Sequence, residues 1–117
     1  MTYDLAVWHG ERPADDEAAA VFEALCDRYL DADEPIPPVA PIRQYVEALL
    51  AHWPDLNEEG GEGSPWAGSP LLDEAAGPII YLTIVWGRAE EASAYAAELA
   101  RARGLVCFDP QAERLRP

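Results

Sequence analysis

Lysine is missing altogether: all eight basic residues of this chain are arginine, set against 22 acidic residues. Cysteine is nearly absent too. Cys26 and Cys107 belong to no ligand or redox motif, which excludes a zinc ribbon and a disulfide scaffold and leaves two reduced, buried thiols as the expectation. No apolar run is long enough to span a membrane, and Met1 to Leu5 lacks the basic region and apolar core of a signal peptide, so a cytoplasmic protein is expected. There is no Gly-x-Gly-x-x-Gly, no Walker loop, no Gly-x-Ser-x-Gly, and no basic segment to suggest a phosphate pocket. Dinucleotide, nucleotide and serine-hydrolase chemistry are thereby set aside.

What the chain has in excess is negative charge, and it is unevenly placed. Residues 1–78 hold seventeen acids and three arginines, whereas residues 79–117 hold five of each, so the whole net of −14 lies in the first two-thirds. Such a field repels nucleic-acid phosphate and anionic membranes and attracts basic proteins or cations.

Ile79–Asp109 is the stretch around which the rest is arranged. Ile79 to Trp86 reads as a strand with Ile80, Leu82, Ile84 and Trp86 on one face and Ile79, Tyr81, Thr83 and Val85 on the other, neither face charged. A strand apolar on both sides is covered on both sides. Helical spacing follows at Ala89, Ala92, Ala96, Leu99 and Ala100, with Glu90 and Glu91 in the first turn and Arg101 and Arg103 in the last, as the helix dipole favours. Gly104 closes the helix, and Leu105 to Phe108 returns as a strand parallel to the first.

Upstream, Tyr3 to Trp8 alternates as a strand. Ala18, Val21, Phe22, Leu25, Cys26 and Tyr29 form the stripe of a helix ending near Leu30, and Ile42, Tyr45, Val46, Leu49, Leu50 and Trp53 that of a second, opened by Pro41 and closed by Pro54. Between them, residues 31–41 carry four prolines and three acids, a semi-rigid extended connector. Residues 54–78 are acidic and rich in Gly and Pro. Residues 54–65 read as a flexible loop, while Trp66 or Leu71-Leu72 is expected to anchor the rest, with a short strand within 64–72 as one form of it, since a structureless segment of that length is rare in a small domain. The tail, Pro110 to Pro117, is expected to fray, with Leu115 as the residue that could dock. The sum is one α+β domain over 1–117, a ferredoxin-like sandwich with an inserted helix (β-α-α-(β)-β-α-β), or alternatively a three-stranded sheet with three helices. A homodimer is a further way to cover the sheet.

The candidates for chemistry are few. His9 and His52 lack companion ligands, and Asp31-Ala32-Asp33-Glu34 has Pro35 where a calcium loop needs its next ligand, so no metal and no cofactor are expected. Strand ends place His9, Arg88 and Asp109 as an alternative pocket, with Arg88 able to pair with Asp109. Trp66 is either a partner anchor in an acidic loop or the buried closure of a sheet edge.

Tyr3-Asp4-Leu5-Ala6-Val7-Trp8, Ser64-Pro65-Trp66 and Gly104-Leu105-Val106-Cys107-Phe108-Asp109-Pro110-Gln111 together resemble a group of short bacterial proteins that end in Gly-Leu-Val-x-[Tyr/Phe]-Asp-Pro-Gln. No activity is settled for that group, so the resemblance carries over no catalytic residue. Charge and resemblance together favour a non-enzymatic binder of a basic protein, of the immunity-inhibitor type, through Asp31, Asp33, Glu34, Glu58, Glu59, Glu62 and Trp66. A small enzyme or ligand-binding domain with a strand-end pocket is the alternative.

Overall fold

A computed structural model describes residues 2–55, 63–68 and 70–116. Strand β1 spans Thr2–Trp8, helix α1 Ala18–Leu25 with a π-helical turn at Cys26–Leu30, and helix α2 Ala40–His52. After a 3₁₀ turn at Leu71–Glu74 come β2 (Ala75–Ala76), β3 (Ile79–Val85), a second 3₁₀ turn at Trp86–Arg88, α3 (Ala89–Ala102), β4 (Val106–Asp109) and β5 (Arg114–Leu115). The five strands form one antiparallel sheet in the order β2-β3-β1-β4-β5. Because β1 runs antiparallel to both β3 and β4 and lies between them, β3 and β4 are parallel to each other without touching.

One uncharged face of β3 is buried within the chain, and the other is buried at Ile79 and half-buried at Tyr81, Thr83 and Val85. Leu5, Val7, Ile80, Leu82, Ile84 and Cys107 point to one side, where Ile42, Tyr45, Val46 and Leu49 of α2 and the alanine face of α3 bury them. Ala6, Trp8, Ile79 and Phe108 point to the other, beneath the stripe of α1. Helices α2 and α3 thus share a face and α1 lies opposite. The small side chains Ala92, Ala96 and Ala100 let α3 come down close to the sheet, and Tyr45, fully buried on α2, donates its hydroxyl to the Ala96 carbonyl at 2.7 Å.

Three sequence expectations change. The tail does more than dock Leu115, which is buried: Arg114 and Leu115 pair with Asp109 and Phe108 as a strand in place of the expected fraying. Strand β3 ends at Val85, so Trp86 leaves the row of Ile80, Leu82 and Ile84 and stands 55% exposed. The weak strand expected near residues 64–72 is instead a single bridge, Trp66 to Ile84, with β2 pairing further along the same edge of β3.

The Pro-rich connector is held by backbone bonds. Val39 N–H donates to the Gly77 carbonyl at 2.9 Å, and Gly77 N–H reaches the Pro37 carbonyl at 3.3 Å. Gly77 has φ +51° and sits against Tyr29, so a Cβ there would lie 2.5 Å from the Tyr29 ring. Positive φ and close approach together require glycine.

Candidate functional site

Antiparallel pairing decides which strand ends meet. Trp8 lies opposite Ile79 and Thr2 opposite Val85. The C-terminal end of β1, with His9, is therefore at the opposite end of the sheet from Arg88 and Asp109. The alternative pocket of His9, Arg88 and Asp109 is not assembled. Nor does Arg88 pair with Asp109: it bonds Glu91 and the Gly63 carbonyl and lies over the Trp53 ring, 5.7 Å from its centroid.

Asp109 instead gathers a network of its own. It is 4% exposed, at the end of β4. Tyr3 donates its hydroxyl to Oδ2, Gln111 Nε2 donates to Oδ1 at 2.7 Å and Ala112 N–H to the same oxygen at 3.2 Å, while Arg116 Nε is 3.5 Å from Oδ2. Burial alone would raise this carboxyl. The three hydrogen bonds and the Arg116 charge outweigh it and hold the group below its ordinary value. Tyr3 moves upward, first through burial and then through its bond to Asp109. Arg116 also reaches the hydroxyls of Tyr3 and Ser93, at 3.4 and 3.3 Å.

Gln111 completes the Asp-Pro-Gln turn. Its side-chain amide accepts from Asp4 N–H at 2.6 Å and donates to the Asp4 carbonyl at 2.7 Å. It thus continues the pairing of β1 beyond the point where β4 turns away. Next to the network lies a cleft of about 900 Å³ lined by Tyr3, Asp15, Asp16, Asp109, Glu113 and Arg116 among others. Both Asp109 oxygens are occupied by protein donors, so the cleft meets a satisfied carboxylate rather than a poised base. None of Tyr3, Ser93, Gln111 and Arg116 is among the site residues expected from the sequence, although Tyr3 and Gln111 stand in the motifs that carry the resemblance. Tyr3 and Asp109 are 106 positions apart, and no local pattern signals a contact of that range.

The acidic candidates divide. Asp31, Asp33 and Glu34 are exposed on the connector. Glu58, Glu59 and Glu62 lie outside the described residues. Trp66 is fully buried, its indole N–H donated to the Trp53 carbonyl at 2.9 Å and its neighbours Pro65 and Ala67 bonded to the edge of β3. It closes that edge and cannot anchor a partner. The exposed tryptophan is Trp86, 6.3 Å from the Tyr3 ring.

Among the described residues no three His, Cys, Asp or Glu side chains come together to hold a metal, and no helix is long and apolar enough to cross a membrane. His52 is taken up by stacking on Tyr95, 4.2 Å between ring centroids. Cys107 is buried, and Cys26, half-buried, lies under α1 on the other side of the sheet, so the two free thiols cannot meet. Compared with protein-family models, curated proteins and solved structures, the chain matches none of them.

Proposed function

We propose that the chain is a non-enzymatic binding protein whose acidic surface recognises a basic protein partner, as an immunity-type inhibitor would. The observation that carries this reading is the run of exposed carboxylates along α1 and its connector: Glu17, Glu23, Asp27, Asp31, Asp33 and Glu34, interrupted by Arg28 alone. A cleft of about 350 Å³ lies beside that run, with Asp31, Asp73 and Glu74 around Leu30 and Tyr81. Carboxylates next to apolar walls suit the stem and cationic head of a lysine or arginine. Glu58, Glu59 and Glu62 join the proposal through their charge, and Trp66 is withdrawn from it. The fold is read as a ferredoxin-like unit, β4-β1-β3-β2 with α2 and α3 on one face, to which α1 and β5 are additions.

Immobilised chain should capture a basic protein at low salt. Asp31→Asn, Asp33→Asn and Glu34→Gln together should slow its association about tenfold, since peripheral charges act mainly on the on-rate. Added salt should slow it likewise, because exposed charges are screened over about 10 Å at 0.1 M. A partner that binds the neutralised variant as fast as the parent, at any salt, overturns the reading. The cleft beside Asp109 favours a second reading, a small-ligand domain; a ligand that competes with the captured protein would select it.

A further inference from the structure

Three of the eight arginines, Arg12, Arg101 and Arg116, line one small cleft of about 230 Å³ on this otherwise acidic chain. They come from the turn after β1, the last turn of α3 and the tail, so no segment of sequence announces them. Glycines at 10 and 104 and the side chains of Leu105 and Val106 form other parts of the wall, and among the described residues no Asp or Glu lines it. Strand β5 pairs with Phe108 and Asp109, and Arg116 N–H continues the pairing to the Cys107 carbonyl at 2.8 Å; the cleft lies alongside this earlier half of β4.

The donors are only partly used. Arg12 Nη1 donates to the Arg116 carbonyl at 2.9 Å, which leaves its other donors to the cleft, while Arg116 borders the cleft with its guanidinium engaged by Asp109, Tyr3 and Ser93. Arg101, exposed, has no hydrogen bond or ion pair from its side chain among the described residues. Burial dominates at the Cys107 thiol in the wall and pushes it up to about 12; the charges of Arg116 and Arg12 reach it and favour its thiolate, and that of Asp109 opposes them. Arg101 near a helix C-terminus also complements the dipole, but that role needs neither Arg12 nor the absence of acids.

We propose that this cleft binds a phosphate dianion, free or as the phosphoryl group of a small ester. Guanidinium groups stay charged at any working pH and present paired donors that match phosphate oxygens. The apolar wall limits competing water; Asp109, paired with Arg116, is the near carboxylate, and carboxylates farther than about 10 Å are screened in ordinary salt. The site is independent of the protein-binding face proposed above.

The test is an amide-shift NMR titration of the full chain with inorganic phosphate, and separately with glycerol phosphate, against sodium chloride at matched ionic strength. Saturable shifts are expected at Gly10, Gly104, Leu105 and Val106. Arg101→Gln should weaken binding about tenfold, the loss of one charge-assisted contact. Arg43→Gln, an exposed arginine on α2, should not. Saturation by the ester alone would assign the phosphoryl group of an ester as the ligand. Shifts no larger than those in chloride for both probes, or equal titrations by the two variants, would overturn the proposal.

Discussion

Asp109 shows how a single side chain can be fixed by partners from both ends of the chain. Its folded form titrates below the ordinary 3.8 because Tyr3, Gln111, the Ala112 N–H and Arg116 outweigh the opposing effect of burial. Unfolding returns it to the ordinary value, so the unfolded chain binds that proton more tightly. The stability it contributes is therefore complete above 3.8 and lost as pH falls through the lower, folded value. Asp109→Asn should cost about 2 kcal/mol near neutral pH, as expected for hydrogen bonds to a charged group. Urea unfolding should show the gap between parent and variant narrowing in acid; a gap constant with pH would show that the carboxylate charge is not what these partners hold. The thiols offer a second reading of local burial. Cys107 should label only on denaturation, and Cys26, raised by burial and then by Asp31, should label slowly in the native chain, which a thiol titration would resolve.

Among the elements, the edge of β3 depends on two unlike pieces, the Trp66 bridge and the two-residue β2. Trp66 fills the core and donates to Trp53, so Trp66→Ala should cost about 3–5 kcal/mol, the usual range for emptying a large aromatic site. Trp86→Ala removes an exposed ring and should change stability by no more than about 0.5 kcal/mol. Equal losses at the two positions would contradict this division. Gly77 marks where the connector, the β2–β3 turn and Tyr29 crowd together. Gly77→Ala should cost about 2–4 kcal/mol in denaturant unfolding, combining a positive φ with a clash against the ring.

Taken whole, the molecule buries one face of its sheet under α2 and α3 and sets α1 over part of the other, where Tyr81, Thr83 and Val85 stay half-buried. Among the described residues, the large hydrophobics left exposed are Val39, Leu72 and Trp86, and they do not come from one element. Sedimentation should therefore give a monomer at high micromolar concentration; a concentration-dependent dimer would mean that a further surface is buried between copies. The net charge of −14 works against compactness, so moderate sodium chloride should raise the melting temperature by screening self-repulsion. A melting temperature that falls with salt would place the dominant electrostatics in ion pairs instead.

The helices and the two long strands were legible because their signals are local. Apolar spacing at Ile42, Tyr45, Val46 and Leu49, or alternation from Ile79 to Val85, reports which side chains share a face of one element. The uncharged second face of β3 likewise announced cover, which is complete at Ile79 and partial at Tyr81, Thr83 and Val85. Local periodicity carries no information about which elements then meet. Placement of α1 alone on one face, separation of His9 from Asp109, exposure of Trp86 in place of Trp66, and convergence of Tyr3 and Arg116 on Asp109 all follow from antiparallel register and chain closure over long separations. Such contacts form only when the assembled core repays the entropy of closing those loops, so the tertiary structure alone decided them.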